Sequence, residues 1–165
     1  MRVLGIDPGT ATTGYAVVDE DRGELRLVSL GVISTPAASP LPQRLQQIYT
    51  ELRQLIELHN PEASAVEQLF FSRNERTAMS VGHARGVALL ALANADLPIA
   101  EYTPMQVKQA ISGYGSATKY QVQQMVRMLL KLDEVPQPDD AADAAAVAIC
   151  CLHRTKLDAL GARHV

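Results

Sequence analysis

The stretch Val3–Ser34, VLGIDPGTATTGYAVVDEDRGELRLVSLGVIS, carries the reading that decides the fold. Val3–Asp7 is a short apolar run closed by an acid, and the Asp7-Pro8-Gly9-Thr10 turn stops it, because Pro-Gly interrupts regular structure. Gly14–Asp19 and Glu24–Ser34 repeat the strand pattern across the polar Glu20-Asp21-Arg22-Gly23 turn, which predicts an antiparallel meander. Beyond a Pro/Ser/Ala linker at Pro36–Pro42, Leu41, Leu45, Ile48, Leu52 and Leu55 recur at steps of three and four, as on one helix face. Asn60-Pro61 ends that helix. Ala63–Glu67 then reads as a buried strand, parallel to the first because a helix precedes it.

Arg73–Ala95 has a helical pattern rich in Ala and Gly, Pro98–Thr103 is a fifth strand, and Pro104–Ser112 is a further helix before the Gly113-Tyr114-Gly115-Ser116 loop. Thr118 with Gln121 forms a capping box that opens a helix through Lys131. After Pro136-Gln137-Pro138, Asp139 begins a final Ala-rich helix. The order predicts an α/β fold with a mixed five-stranded sheet flanked by helices, in one domain spanning residues 1–165.

A hydrophobic fraction of 47% and a charged fraction of 20% suit a globular protein. No apolar run approaches the roughly 20 residues that span a bilayer, so no membrane role is expected. The N-terminus lacks a signal-peptide pattern, and Cys150 and Cys151, adjacent on a helix, cannot bridge; a cytoplasmic location is expected. The net charge of −3 argues against a nucleic-acid partner until its distribution is considered. Residues 70–131 hold seven bases (Arg73, Arg76, Arg85, Lys108, Lys119, Arg127, Lys131) against three acids (Glu75, Asp96, Glu101), leaving −7 for the rest of the chain. A basic middle of that kind suits phosphates.

Asp7 and Glu67 each end an apolar strand. Adjacent and parallel strands would bring both to the carboxyl edge, where open α/β sheets bind ligands. Asp140 and Asp143 lie three apart and share a helix face. Four gathered acids repel unless a hard cation joins them, and two Mg²⁺ ions, with Mn²⁺ as an alternative, would balance four carboxylates. The implied chemistry is phosphodiester hydrolysis by in-line attack. His59, His83, His153 and His164 show no ligand spacing, and no Walker loop or zinc pattern competes. Pattern alone leaves the last acids open: Asp139, Asp140 and Asp143 would equally stabilise a helix N-terminus, with Asp139 as N-cap after Pro138.

Gly5-Ile6-Asp7-Pro8-Gly9-Thr10 with Gly14-Tyr15, Val66-Glu67-Gln68 with Phe70, Gln106-Val107-Lys108-Gln109 and Asp140-Ala141-Ala142-Asp143-Ala144, in that order, resemble the RuvC family of Holliday junction resolvases. The match includes Gly86-Val87-Ala88 and Gln123-Gln124-Met125-Val126-Arg127. The resemblance implies a ribonuclease H-like fold, a homodimer, and symmetric nicking of four-way junction DNA that leaves 5′-phosphate and 3′-hydroxyl ends. It also implies a functional link to the RuvA–RuvB branch-migration complex. It puts Asp7, Glu67, Asp140 and Asp143 on the family's acidic positions, preferring the last two over Asp139, which stands where a small residue is expected. Lys108 and Lys119 match basic positions near the cut phosphate, and Phe70 matches an aromatic that stacks at the junction centre. Arg73, Asn74 and Arg76 follow as candidate phosphate contacts. Gly82 and Gly86, with Ala78, Ala84 and Ala88, fit a dimer helix.

Three other readings compete. A sugar-kinase-like ATPase shares the turn at Asp7–Thr10 but needs a second domain. A ribonuclease H-like nuclease acting on structured RNA is the nearer alternative, without a counterpart to the QVKQ and DAAD combination. A non-catalytic junction binder would not need the four acids.

Overall fold

The computed structural model describes the backbone of residues 1–68 and 75–161, and side chains over the same span except 75–77 and 157–161. Strands β1 (Arg2–Asp7), β2 (Thr12–Asp21) and β3 (Glu24–Ser34) precede α1 (Leu41–His59), β4 (Ala63–Glu67), α2 (Glu75–Ala93) and β5 (Ile99–Tyr102). Helices α3 (Pro104–Ser112), α4 (Lys119–Leu129) and α5 (Asp139–Gly161) follow. The sheet order is β3-β2-β1-β4-β5: the meander is antiparallel, while β1–β4 and β4–β5 are parallel. This is the mixed five-stranded sheet that the element order predicts.

Successive side chains of a strand face opposite ways, and β1 sorts itself accordingly. Leu4 and Ile6 join Val17, Ile33 and Val66 in a core covered by Ile48, Leu52 and Ile56 of α1 and by Ala84, Ala88, Ala91 and Leu92 of α2. Val3 faces the other way, with Ala16, Val18, Ala63 and Ala65, beneath α3, α4 and α5. Burying each such Val, Leu or Ile side chain contributes roughly 1.5–3 kcal/mol. By the same alternation Gly5 and Asp7 share the α5 side with Val3, and Glu67 shares it with Ala63 and Ala65.

Helix α5 lies directly on that side because small residues face each other. A Cβ on Gly5 would collide with the Ala144 carbonyl, and one on Gly14 with the Asp140 carbonyl. Ala141, Ala142, Ala144, Ala145, Ala146 and Ala148 are all buried, with Ala144 and Ala148 against Gly5. Larger side chains on either surface would lift the helix off the sheet.

Some local expectations shift. On α1 the expected stripe member Leu41, the first helical residue, is 38% exposed, and Ile56 is buried instead. Asn60, in the left-handed region at φ 45°, closes α1 through its N–H to the Ile56 carbonyl, 2.9 Å away. Helix α4 ends at Leu129 rather than Lys131, which has left-handed backbone at φ 55°. Asp139 is not an N-cap: it is already helical, and the Pro138 carbonyl accepts the first bonds from the N–H groups of Ala141 (3.0 Å) and Ala142 (3.3 Å). The expected dimer helix is divided between faces, with Ala84 and Ala88 buried on the sheet and Gly86 open to solvent. Cys150 and Cys151 are buried and free. Among the described residues no helix is long and apolar enough to cross a membrane.

Candidate active site

The Ile6–Val66 pairing in the parallel register puts Asp7 and Glu67, each one residue further on, side by side at the carboxyl ends of β1 and β4. Across the antiparallel pair Asp7 faces Gly14, whose missing side chain admits the backbone of Asp140. Asp143, one helical turn later on α5, turns to the same place. Three segments far apart in the chain thus deliver four carboxylates to one edge of the sheet.

The charges are in conflict. Burial, followed by the repulsion of Glu67, Asp143 and Asp140, pushes the Asp7 carboxyl from its usual 3.8 up to about 8. Protonated Asp7 donates a hydrogen bond to Glu67. Burial and then Asp143 also raise Glu67, while the hydrogen bond from Asp7 and the charges of Lys119 and Lys108 pull it back. Asp143 is raised by burial, against the hydrogen bond it accepts from Lys119. A shared proton and an ammonium group balance charge here, and a hard divalent cation would do so more completely.

Lys119 sits at the first turn of α4, where Thr118 and Gln121 form the expected capping box. Its Nζ lies 3.1 Å from both Asp139 and Asp143. Burial opposes its charge, yet these carboxylates outweigh that and raise its affinity for the proton. Asp139 also accepts a hydrogen bond from the Gln123 amide at 3.0 Å. Asp139 therefore faces Lys119 and Gln123 on α4. Glu67, Lys108, Lys119 and Asp143 line a cavity of about 210 Å³, walled by Pro104, Val107, Val122 and Ala146.

The donors fit Mg²⁺ in kind, being hard carboxylate oxygens beside a solvent-connected cavity. As their side chains stand, no group of three or more His, Cys, Asp or Glu among the described residues is in place to hold an ion. Lys119 draws Asp143 to itself, and Asp7 is turned to Glu67.

Phe70, Arg73 and Asn74 lie outside the described residues, and Arg76 lies in the first turn of α2 outside the described side chains. The basic middle of the chain is not one bare patch. Arg85 pairs with Glu101, Lys131 with Glu24 at 3.2 Å, and Lys119 with the α5 acids, because folding returns acids to the bases. Sequence reasoning missed the structural parts of Gly5 and Gly14 at the site; a glycine inside a strand is itself a sign of close backbone approach. It also missed Thr10, buried after Asp7, whose hydroxyl donates to the Ser80 carbonyl and accepts from the Ser80 hydroxyl at 2.9 Å, tying the turn to α2.

A mixed five-stranded sheet, helices on both faces and an acidic cleft where β1 adjoins β4 define a ribonuclease H-like protein. The family model described as crossover junction endodeoxyribonuclease RuvC matches residues 3–151. The chain belongs to the RuvC family. It is 60% identical to the crossover junction endodeoxyribonuclease RuvC of Chloroflexus aggregans, over 91% of this chain and 92% of that protein. With that of Syntrophomonas wolfei the identity is 54%, over 95% and 91%. The solved Thermus thermophilus RuvC structure superimposes with a TM-score of 0.90 at 39% identity, covering 96% of this chain and 97% of that one. The T. thermophilus RuvC in complex with Holliday junction substrate gives 0.88 at 36%, covering 95% and 96%.

Proposed function

We propose that this chain is a structure-specific endodeoxyribonuclease that resolves four-way DNA junctions in recombination and repair. The observation that carries the reading is the gathering of Asp7, Glu67, Asp140 and Asp143 at one sheet edge, with Asp7 raised to about 8. The length and identity of its match to RuvC proteins supply the substrate class.

In this reading Asp7, Glu67, Asp140 and Asp143 hold two Mg²⁺ ions, with Mn²⁺ able to substitute. When bound, such a pair activates a water for in-line attack and stabilises the departing oxygen. Water attacks the phosphorus, the bond to the 3′ oxygen breaks, and that oxygen takes a proton, leaving 5′-phosphate and 3′-hydroxyl ends. Lys108 and Lys119, lining the cavity beside Glu67 and Asp143, hold the phosphate and keep the strand aligned. Phe70 stacks at the junction centre, and Arg73, Asn74 and Arg76 meet the flanking backbone.

Two symmetric cuts call for two copies. Met79 and Leu90 of α2 are 66% and 54% exposed, and with His83, Gly86 and Ala93 they form an outward stripe at helical spacing. That stripe supports a two-fold homodimer. One nuclease domain across residues 1–165, a cytoplasmic location and a functional link to the RuvA–RuvB branch-migration complex complete the proposal.

The test is incubation of purified protein with a mobile four-way junction and Mg²⁺, with both nicks mapped. Paired nicks at symmetric positions on two like-polarity strands are expected. Asp7→Asn should abolish them while junction binding persists. Cleavage of structured RNA in preference to the junction would overturn the reading.

A further inference from the structure

The parallel ladder between β1 and β4 ends at Ile6–Val66, so Asp7 stands one residue past it and is paired on the β2 side, opposite Gly14. Residues 8–11 then carry the chain round into β2. Backbone groups without partners open easily, and here the loop is sewn down on both sides. Toward β3, the Thr35 hydroxyl donates to the Thr10 carbonyl at 2.5 Å, and the Thr35 N–H donates to the Ala11 carbonyl at 3.0 Å. Toward α2, the Thr10 hydroxyl donates to the Ser80 carbonyl and accepts from the Ser80 hydroxyl at 2.9 Å. Within the loop, the Thr13 hydroxyl donates to the Gly9 carbonyl at 2.7 Å, and a Cβ on Gly9 would collide with the Thr12 carbonyl.

Thr10, Thr13 and Thr35 are all buried, so each hydroxyl depends on the partners it has here. Arg44 of α1 completes the chain of contacts: its Nε donates to the Thr35 hydroxyl at 2.7 Å, which leaves the proton of that hydroxyl for Thr10. We propose that Thr10 is a positioning residue for the cleavage reaction: held between Thr35 and Ser80, it fixes the loop behind Asp7 and keeps that carboxylate aimed at its cation. In-line attack is sensitive to shifts of about 1 Å, and the contacts behind a metal-holding carboxylate govern both affinity and rate. The inference rests on the junction-cleaving reading and adds to it a residue that acts through Asp7 rather than on the phosphate.

The test takes two readouts on the full chain: Mn²⁺ binding without DNA, followed by the spin-resonance signal of the free ion, and single-turnover nicking of a four-way junction in Mg²⁺. Thr10→Val keeps the shape of the side chain and removes its hydroxyl; Thr10→Ser keeps the hydroxyl. Thr10→Val should weaken Mn²⁺ binding about tenfold and slow nicking about ten- to a hundredfold. Junction affinity in Ca²⁺ should stay within about twofold, because the basic contacts to phosphate are untouched. Thr10→Ser should restore both readouts. Ser80→Ala removes one of the two ties to α2 and suits a helix, so it should show a smaller loss of the same kind, about threefold.

A Thr10→Val chain that binds Mn²⁺ and nicks as the wild type does overturns the proposal. So does a Thr10→Ser chain as impaired as Thr10→Val, which would assign the effect to the methyl group. If Thr10→Val does not fold, Ser80→Ala decides, and a folded chain with wild-type Mn²⁺ binding and nicking overturns the positioning role. A wild-type chain that binds Mn²⁺ but nicks no junction removes the cleavage reading and leaves the Mn²⁺ comparison to judge Thr10, which separates the two failures.

Discussion

Near neutral pH the Asp7 carboxyl keeps its proton in the absence of metal, since burial and the acids around it raise its value to about 8. A group raised on folding stabilises the fold below its unfolded value and loses that contribution as pH climbs through the folded one. Glu67 and Asp143 act with the same sign. The metal-free protein should therefore lose stability between roughly pH 4 and pH 8, which melting curves across that window will register. Asp7→Asn removes the conflict. At the upper end of the window it should stabilise the metal-free chain by on the order of 1–2 kcal/mol, roughly 2–8 °C in melting temperature. Lys119→Ala should reduce the salt slope of junction affinity by about one phosphate contact; an unchanged slope would leave Lys119 as a partner of Asp139 and Asp143 alone. The placement of Asp7 and Glu67 was legible in the sequence because an acid closing an apolar strand is costly unless the position is used. The Lys119 bridge was not legible, because it depends on the first turns of α4 and α5 meeting in space.

Among the elements, α5 is positioned by what β1 and β2 lack. Gly14→Ala should force the Asp140 backbone away from the sheet, costing about 1–3 kcal/mol by overpacking. A shift near 1 Å at Asp140 should also lower cleavage on the order of a hundredfold. Denaturant melts and single-turnover rates check the two effects separately. Gly86→Ala on α2 is the contrasting change, for a Cβ there meets nothing within 4 Å. It should raise monomer stability by about 0.5–1 kcal/mol, since glycine is a poor helix former. Strand and helix order could be read from hydrophobic period and turn residues, down to the capping box at Thr118. Element ends followed backbone features that composition signals only weakly: the Pro138 carbonyl displaced Asp139 from the cap, and left-handed Lys131 lay beyond the end of α4. On α1, a step of 100° per residue puts Ile56 within roughly 40° of both Leu45 and Leu52, on the face the leucines already marked.

For the molecule as a whole, the outward stripe of α2 makes the oligomeric state a direct measurement. Leu90→Glu should shift the chain from dimer to monomer in sedimentation and remove the pairing of the two nicks, while each remaining nick still forms. A saturating divalent cation should raise the melting temperature most above pH 8, where Asp7 has given up its proton, by roughly 2–4 °C per kcal/mol of binding. The mixed sheet flanked by helices was legible from the order of the elements; the partition of α2 between inward alanines and an outward stripe was not, since small residues suit either face. Ser80, which grips the buried Thr10 through two hydrogen bonds, is the chain neighbour of Met79 on that stripe. The exposed face of α2 and the turn that follows Asp7 are thus joined by a single residue step along the helix and a pair of hydroxyl contacts.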